Sequence, residues 1–366
     1  MKSFKKLLFL LTPKERKSGS LLLVMILIMA LLDMIGVASI LPFMAVLANP
    51  TIIETNIILN KIFHTSKIFG VENNQQFLFF LGVIVFVLLV ISLIFKAFTT
   101  YVQVQFVQMR QFSIGKRFVE GYLQQPYSWF LNRHSAELGK TILSEVNQVV
   151  GNGIAPLIEL IAKSMVVIAI ITLLVLTNPK LTLIVGFVLG ASYGLTYKFT
   201  HRYLNQIGEE SLKNNQLRFV AVSEAFGAAK EVKVGGLEKT YVERFSDPAK
   251  IFARNQASAT VLRQLPRFAL EAIAFGGIML VILYLLKQTG TFSNALPVVS
   301  LYAFAGYRLM PALQQIYASI TLLTFVGPSL DRLHNDIKSL KPFNVEQDQG
   351  VLSFNKSIAL KNIHYN

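Results

Sequence analysis

The sequence contains no cysteine, which excludes disulfide bonds, thiol nucleophiles and thiolate metal sites within its 366 residues. Histidine is scarce as well, and the five histidines are far apart and form no metal-binding spacing such as H-E-x-x-H. A G-x-x-x-x-G-K-[ST] motif is also missing, so no phosphate-binding loop can form. We therefore expect neither a metal site nor catalytic residues in this stretch of chain.

Charged residues are few, at 15% of the chain, whereas hydrophobic residues reach 53% and the mean hydropathy is +0.52. A single water-soluble core does not accommodate so many apolar side chains. A helix needs about 20 apolar residues to cross the hydrocarbon core of a bilayer. Six segments meet this requirement: 21–48, 77–98, 154–177, 180–200, 268–287 and 295–325. The sequence therefore predicts an all-α membrane protein with six transmembrane helices.

The formal net charge of +15 raises the alternative of a nucleic-acid-binding protein. The basic residues follow the predicted topology instead, because most of the 35 Lys and Arg residues lie on one side of the spans. The connections on the opposite side, with their edges, contain only Lys61, Lys67, Lys180 and Lys287. By the positive-inside rule both termini are cytoplasmic. The basic excess is then explained by cytoplasmic segments beside anionic lipid, and no nucleic-acid partner is expected.

Residues 1–20 precede the first span and combine apolar with basic positions. The helical spacing of apolar residues is carried by Phe4, Leu7, Leu8 and Leu11. Lysines occupy the rest of the turn, which is typical of a short helix lying on an anionic lipid surface. We predict an interfacial elbow helix in residues 1–20, followed by the six-helix domain in residues 21–335.

The spans continue into amphipathic segments that are too polar for lipid. Residues 77–124 contain no proline, so the second span and its extension form one predicted rod of about 70 Å at helical rise. Segments 135–153, 201–226 and 240–265 show the same helical spacing of apolar residues. The sequence therefore predicts four long helical extensions that project to the cytoplasmic side.

Two short links join these extensions in pairs at their far ends. Pro126 breaks the first link, and Gly235 with Gly236 breaks the second. Apolar residues far from the membrane are typical of a docking surface for another domain. The alternative is an ordinary loop in which Trp129 packs against its neighbours. The residues predicted to carry the docking are Pro126, Tyr127, Trp129, Phe130, Lys233, Gly235, Gly236 and Glu238.

The last part of the sequence has a different character. Residues 336–350 are polar and contain a proline, and we predict a linker there. In residues 351–366 apolar residues recur mostly at even spacing, which predicts short β-strands. Sixteen residues cannot bury a core, so we interpret these strands as the start of a further domain whose body lies outside this sequence.

The arrangement of six spans, long extensions and two tip links resembles the transmembrane half of an ABC exporter running into its nucleotide-binding domain. The second link is similar to a stretch of that family with the pattern G-x-x-x-V-K…E…F, represented here by Gly227, Glu231, Val232, Lys233, Glu238 and Phe245. The resemblance implies a homodimer. It also implies that ATP and Mg²⁺ are bound by the nucleotide-binding domain, so this chain alone should not hydrolyse ATP.

Several ionisable residues fall inside the predicted spans or at their edges, where a charge costs a few kcal/mol on insertion scales. They are Asp33, Lys96, Glu159, Lys163, Arg267, Glu271 and Arg308. Glu159 and Lys163 are four apart on one helix, and we interpret them as a structural pair. Arg267 and Glu271 share that spacing. Asp33 has no oppositely charged residue nearby on its own helix, so we expect it to pair with a cation on another helix.

Lys96 and Arg308 have no acidic residue within one helical turn. In the alternative interpretation, the Lys96 side chain only extends along the helix so that its ammonium group reaches water at the cytoplasmic membrane surface. Arg308 is too deep for that, and Pro311 loosens the helix beside it. With Arg263 and Arg267 these residues form a cationic set on three spans, and phosphate is a natural counter-ion for the planar guanidinium group. The sequence therefore predicts a basic, water-filled cavity.

Three stretches around these residues, IFKAF, LPRFALEAIAF and YRLMPALQQI, are similar to their counterparts in the PglK-type branch of ABC flippases. That branch moves lipid-linked oligosaccharides from the cytoplasmic to the outer leaflet. The residues implied to bind the diphosphate head of the lipid are Lys96, Arg267 and Arg308. The outer connection 50–70 also resembles this branch, with Ile53, Ile57 and Ile58 of a short amphipathic helix against lipid tails.

The preferred interpretation is an ATP-driven transporter of the bacterial plasma membrane that flips a lipid-linked diphosphate oligosaccharide. The alternative is a general ABC exporter of drugs, peptides or lipids, in which the basic residues only fix helix packing. A third hypothesis, a membrane-embedded lipid-sugar transferase, predicts paired carboxylates or a metal-binding pattern. Neither D-x-D nor H-x-x-x-H occurs in the sequence, which weakens that hypothesis.

Overall fold

The computed structural model describes residues 2–131, 133, 135–289 and 292–340, and every regular element within them is helical. The predicted all-α class is confirmed for this part of the chain. The α-helices are α1 (Lys2–Leu10), α2 (Pro13–Ala38), α3 (Ile40–Ala48), α4 (Ile52–Thr55), α5 (Ile57–Ser66), α6 (Asn74–Leu123), α7 (Tyr127–Leu131), α8 (Ser135–Lys140), α9 (Val146–Val149), α10 (Ala155–Thr177), α11 (Pro179–Gly227), α12 (Ala229–Val234), α13 (Glu238–Thr289), α14 (Phe292–Phe325) and α15 (Gly327–Ser339).

A capping box at Thr12 fixes the break between α1 and α2. The Thr12 hydroxyl accepts a hydrogen bond from the Glu15 backbone N–H, and the Glu15 carboxylate accepts one from the Thr12 N–H at 2.8 Å. Pro13 suits the first helical position because its missing N–H would have no partner there. The elbow helix therefore ends at Leu10, and the helix of the first span begins at Pro13 rather than at residue 21.

The elbow helix α1 packs largely against protein. Leu7 and Leu10 are 1% and 0% exposed, in a core shared with α6, α9 and α15. Lys6 Nζ also lies 2.6 Å from Asp331 Oδ1 on α15. The prediction that this apolar face lies on lipid is therefore wrong for Leu7, whereas Phe4 is 44% exposed and stays available for that contact.

The first span is divided into α2 and α3 at Ser39. Pro42 has no backbone N–H, and its ring crowds the carbonyl group four residues earlier at Ala38, where α2 ends. The Ser39 hydroxyl donates a hydrogen bond to the Gly36 carbonyl at 2.8 Å, which satisfies one acceptor at the helix end. Together the two helices supply the apolar length predicted for the first span.

The helix α6 is uninterrupted over 50 residues. At 1.5 Å per residue its length is about 75 Å, more than twice the thickness of the hydrocarbon core. A capping box between Asn73 and Gln76 sets its start, and Pro126 follows its end. The predicted rod is confirmed, and α11 and α13 are single helices of 49 and 52 residues.

The extension that leads into the third predicted span is helical but irregular. Two π-helical turns, Thr141–Glu145 and Val150–Ile154, flank the short helix α9. Each π-helical turn is one residue wider than an α-helical turn, so the side chains that follow are rotated about the helix axis. The helix predicted over residues 135–153 is therefore confirmed, with two irregular turns that the spacing of apolar residues did not indicate.

The two largest apolar cores among the described residues each join three or more helices. In the first, α2, α10 and α14 pack around Ile26, Ile170 and Leu301, each 0% exposed. In the second, α1, α6, α9 and α15 meet around Phe118 and Leu330, also 0% exposed. We use the name stalk for the helical extensions beyond the apolar spans, which are residues 99–123, 135–153, 201–265 and 327–339.

Three helical segments in the described residues are long and apolar enough to cross a membrane. They contain the first, second and third predicted spans. A fourth candidate joins the end of α14 to α15 across a bend of 54°. The fourth and fifth predicted spans fall in α11 and α13, where many side chains lie outside the described part of the chain. The total of six spans therefore stays a prediction.

The connection between α3 and α6 contains α4, α5 and a 3₁₀ turn, Lys67–Phe69. Ile53 is 2% exposed and packs into a small core with Phe77, so the prediction that Ile53 contacts lipid tails is wrong. Ile57 and Ile58 are 86% and 71% exposed, which keeps them available for that contact.

The helix α15 ends at Ser339 and so extends into the predicted linker of residues 336–350. Residues 341–366, which include the strands predicted in 351–366, lie outside the described residues.

Just before α15, the backbone of α11 approaches α14 so closely that a Cβ atom added to Gly208 would collide with the carbonyl oxygen of Phe325. The bend between α14 and α15 therefore lies directly against α11.

Candidate functional site

A cavity of about 390 Å³ lies between α2, α6, α10 and α14. Each of these four helices contributes one charged side chain to its wall: Asp33, Lys96, Lys163 and Arg308. The other lining residues that the structure describes are apolar or uncharged, and they include Met29, Val166, Tyr307 and Gln314. Two of the three residues predicted to bind substrate, Lys96 and Arg308, thus line one cavity.

Asp33 connects three of these helices. It is 2% exposed, and its Oδ1 atom lies 3.3 Å from Arg308 Nη1 on α14. The same oxygen accepts a hydrogen bond from the Ser92 hydroxyl on α6 at 3.0 Å. The prediction that Asp33 pairs with a cation on another helix is confirmed. Because two donors fix the carboxylate, its position in the cavity wall is well defined.

Arg308 keeps hydrogen-bonding capacity toward the cavity. Its Nη1 atom contacts Asp33, and its other two nitrogens donate to no protein atom among the described residues. The neighbouring Pro311 has no N–H group, so the carbonyl of Tyr307 lacks the donor that a helix normally supplies. The helix α14 nevertheless continues through Pro311. The Arg308 guanidinium group and the carbonyl left without its helical donor therefore belong to neighbouring residues of α14.

Lys96 lies on α6, one turn after Ser92, and it is half-buried. Its alternative role, extension to the inner interface, does not account for its place in the lining of this cavity. Within the described residues Lys96 forms no ion pair, so its ammonium group has no acidic partner closer than 4.0 Å. The Lys96 ammonium is therefore available to an anionic ligand.

Lys163 was interpreted from the sequence as the structural partner of Glu159, and the structure corrects this. No ion pair joins the two residues in the part of the chain that the structure describes, and Lys163 lines the cavity instead. A spacing of four residues is compatible with either arrangement, because both side chains are long. Only the direction in which α10 faces its neighbours distinguishes them.

The third residue predicted to bind substrate, Arg267, belongs to α13, and its side chain lies outside the described residues. Its place relative to the cavity therefore stays a prediction. Arg263, one turn earlier, is half-buried and is not part of the described cavity lining.

The first tip link forms the short helix α7, which follows Pro126. Tyr127 is 78% exposed and Leu131 is 62% exposed, so this helix has apolar residues available for docking. Trp129 is half-buried: its ring lies 5.4 Å from Tyr122, and the Arg133 guanidinium lies 4.3 Å from the Trp129 ring centre. Phe130 is half-buried as well. Trp129 therefore packs against its neighbours, as the alternative interpretation of this link expects.

The second tip link contains α12 and a turn at Gly235 and Gly236. Gly236 has φ +61°, a conformation that side chains with a Cβ atom rarely adopt. Lys233 Nζ donates to Glu238 Oε1 across the turn at 2.9 Å, and this hydrogen bond lowers the pKa of the Glu238 carboxyl group. Val234 is 81% exposed and Phe226 is 79% exposed, so this tip also has an apolar surface.

A polar network inside the stalk joins α8 and α11 to α15. Arg332 on α15 donates to Gln216 Oε1 on α11 at 2.7 Å, and its second terminal nitrogen pairs with Glu137 on α8. Nearby, the buried Lys140 lies 3.4 Å from Glu145. Sequence reasoning missed this network because its members are distant in the chain and lie on separate helices.

The ABC transporter transmembrane region family matches residues 38–308 of this chain. Two curated relatives are both named ATP-dependent lipid A-core flippase. The protein from Ralstonia nicotianae is 29% identical over 170 residues, which cover 46% of this chain and 28% of the relative. The protein from Cupriavidus pinatubonensis is 31% identical over 160 residues, which cover 43% of this chain and 27% of the relative.

Among solved structures, the chain is similar to a bacterial Atm1-family ABC exporter with ATP bound, with a TM-score of 0.64 and 12% identity. The match covers 88% of this chain and 54% of the solved one, so this chain spans about half the length of that exporter. At this identity the likeness shows the fold, which is the transmembrane fold of an ABC exporter. With the family match extending over residues 38–308, the chain belongs to the ABC transporter transmembrane region family.

Proposed function

We propose that this chain is the transmembrane half of an ATP-driven transporter that flips a lipid with a phosphate or diphosphate headgroup, most specifically a lipid-linked oligosaccharide. The observation that carries this proposal is the cavity between α2, α6, α10 and α14. Its described lining contains three cationic side chains and a single carboxylate, and that carboxylate is already paired with Arg308.

A lipid is the class of cargo that the relatives favour. The two curated relatives described above are named flippases of lipid A-core. The cavity supports an anionic headgroup, because an ammonium or guanidinium group at membrane depth is costly unless an anion or water compensates it. Arginine matches the oxygen geometry of phosphate, and lysine binds phosphate as a point charge.

The proposed assembly is a homodimer in the bacterial plasma membrane, with both termini in the cytoplasm. ATP and Mg²⁺ would be held by a nucleotide-binding domain, because this sequence contains no phosphate-binding loop. The tip links around Tyr127 and Gly235 would dock on that domain. Closure of two such domains would move the tips, and the stalk would carry the movement to the cavity.

The experiment that tests the proposal is a flipping assay in liposomes, with this protein and its nucleotide-binding domain. A fluorescent polyprenyl-diphosphate oligosaccharide is supplied, and its ATP-dependent movement between leaflets is measured by quenching. We expect Lys96→Ala and Arg308→Ala each to slow transport by about tenfold, the cost of one charged hydrogen bond. Lys116→Ala, at a side chain that is 61% exposed on α6, is the matched control and should transport normally.

A second candidate function is a general exporter of drugs, peptides or other lipids. The Asp33–Arg308 ion pair favours it, because this contact also gives Arg308 a role in packing α14 against α2. In that case Lys96→Ala leaves transport of the diphosphate lipid unchanged, and an unrelated amphipathic compound stimulates ATP hydrolysis instead.

A further inference from the structure

The charges of the cavity are unbalanced. Lys96, Lys163 and Arg308 face it from three different helices, and Asp33 is the single acidic residue in its described lining. Asp33 pairs with Arg308, and its carboxylate also interacts with the Lys96 ammonium over a longer distance. Neither ammonium group has an ion pair of its own among the residues that the structure describes. With three cations and one carboxylate, the described lining has a net charge of +2, and in a half-buried space this favours a ligand with two negative charges.

Lys163 is the cation that α10 contributes to the cavity. It lies on α10, three residues before Val166, which also lines the cavity, so both face the same space. Glu159, one turn earlier, makes no ion pair with it in the described part of the chain. Lys163 is also close enough to Lys96 for the two charges to interact. The two ammonium groups therefore act on the same part of the cavity.

Asp33 has a different role because it is fixed from two sides. The Ser92 hydroxyl and the Arg308 guanidinium both contact Oδ1, and the residue is 2% exposed. A carboxylate held in this way keeps one edge of the guanidinium group in place. The nitrogens of Arg308 that have no described protein partner remain for the ligand.

We propose that Lys163 and Lys96 form a paired ammonium site for the second phosphate of a diphosphate headgroup, with Arg308 on the first phosphate and Asp33 as the positioning residue of Arg308. This proposal rests on the proposed function and adds charge selectivity to it. A phosphodiester lipid has one negative charge and a diphosphate diester has two. The cavity therefore selects the diphosphate lipid.

The test uses the reconstituted protein with its nucleotide-binding domain and two fluorescent lipids of the same polyprenyl chain and sugar. One lipid has a diphosphate bridge and the other a single phosphate. Wild-type protein should transport the diphosphate lipid with a KM about tenfold lower. Lys163→Gln should abolish this difference by raising the KM of the diphosphate lipid alone, and Lys163→Arg should restore most of it. Glu159→Gln on the same helix is the matched control.

The positioning role of Asp33 is tested in the same assay. Asp33→Asn should raise KM for both lipids with little change in kcat, because Arg308 contacts the phosphate that both share. A purely structural role would instead lower the amount of folded protein, which size-exclusion chromatography measures. An Asp33→Glu variant should have a KM between those of the wild-type protein and of Asp33→Asn.

The outcomes separate this proposal from the proposed function. If Lys163→Gln changes the KM of both lipids equally, or of neither, the ammonium pair is wrong while lipid flipping stands. If wild-type protein moves neither lipid, the proposed function fails as well. If inorganic pyrophosphate binds the wild-type protein but neither lipid is moved, the cavity takes a soluble diphosphate, which overturns the lipid assignment.

Discussion

Arg308 and Asp33 form an ion pair between α14 and α2, with 3.3 Å between Nη1 and Oδ1. Side-chain exposure is 17% for the arginine and 2% for the aspartate, so the pair is shielded from water. Removal of one member of a buried pair leaves an uncompensated charge, which costs more than removal of both. The pair therefore links helix packing to the charge of the cavity.

We expect Arg308→Met to lower the thermal stability of the detergent-purified protein by about 3 kcal/mol, because Asp33 remains buried without its partner. The double variant Asp33→Asn/Arg308→Met should be more stable than Arg308→Met alone. Thermal unfolding measures both. Lys239→Met, which removes a pair with Glu243 that is exposed on α13, is the control and should leave the melting temperature unchanged. Simple additivity of the two cavity substitutions would contradict the prediction.

We expect Arg332→Gln and Glu137→Gln each to weaken the contacts that hold α8 and α15 together in the stalk. Arg332 contacts both α8 and α11 from α15, so the loss of either partner frees the same network. Hydrogen exchange should become faster in α8 and α15, and the double variant should be no worse than the single variants. Arg244→Gln, which removes an exposed pair with Glu224, provides the comparison. Faster exchange confined to one helix would argue against a shared network.

We expect Gly208→Ala to destabilise the protein by about 1–3 kcal/mol, because the added methyl group meets the backbone carbonyl of Phe325, which cannot rotate away. Gly115→Ala on α6 is the matched control, since nothing lies within 4 Å of its Cβ position. That substitution should be neutral or stabilise the helix by about 0.5–1 kcal/mol. The free energy of unfolding of the two variants checks the prediction, and equal values would refute it.

The absence of cysteine allows the predicted topology to be tested directly. Tyr127→Cys places a thiol on the exposed first tip, and Glu54→Cys places one in the connection between α3 and α6. A membrane-impermeant maleimide should label residue 54 in intact spheroplasts and residue 127 only after the membrane is opened. Labelling of both positions from the same side would show that the predicted sidedness is wrong.

Long helices were predictable from the sequence because local pattern controls them. The stretch that became α6 has no proline, and its apolar residues change from a continuous run to helical spacing without interruption. Pro126 marked the end of α6, and Gly235 with Gly236 marked the turn before α13, because these residues restrict or free the backbone locally. The earlier end of α11 at Gly227 was not marked by these two glycines.

Contacts between helices were not predictable in the same way. Periodicity gives the apolar face of a helix but not the neighbour that it meets, so Leu7 and Ile53 were expected against lipid and are buried in protein. For the same reason Lys163 was expected beside Glu159, although α10 directs it into the cavity. The partner of Asp33 was expected on another helix because its own helix offered none, but the sequence did not identify Arg308.

The 54° bend between α14 and α15 has a mechanical consequence. A straight helix pushed at one end transmits a shift along its axis, whereas an angled one converts a swing of its short arm into a twist of its long arm. The carbonyl of Phe325 lies against the backbone at Gly208 on α11, so this contact would be the pivot of such a movement. Arg308 lies 17 residues along the long arm, about 25 Å away at helical rise. A modest swing of the short arm would therefore turn the guanidinium sideways rather than push it outward.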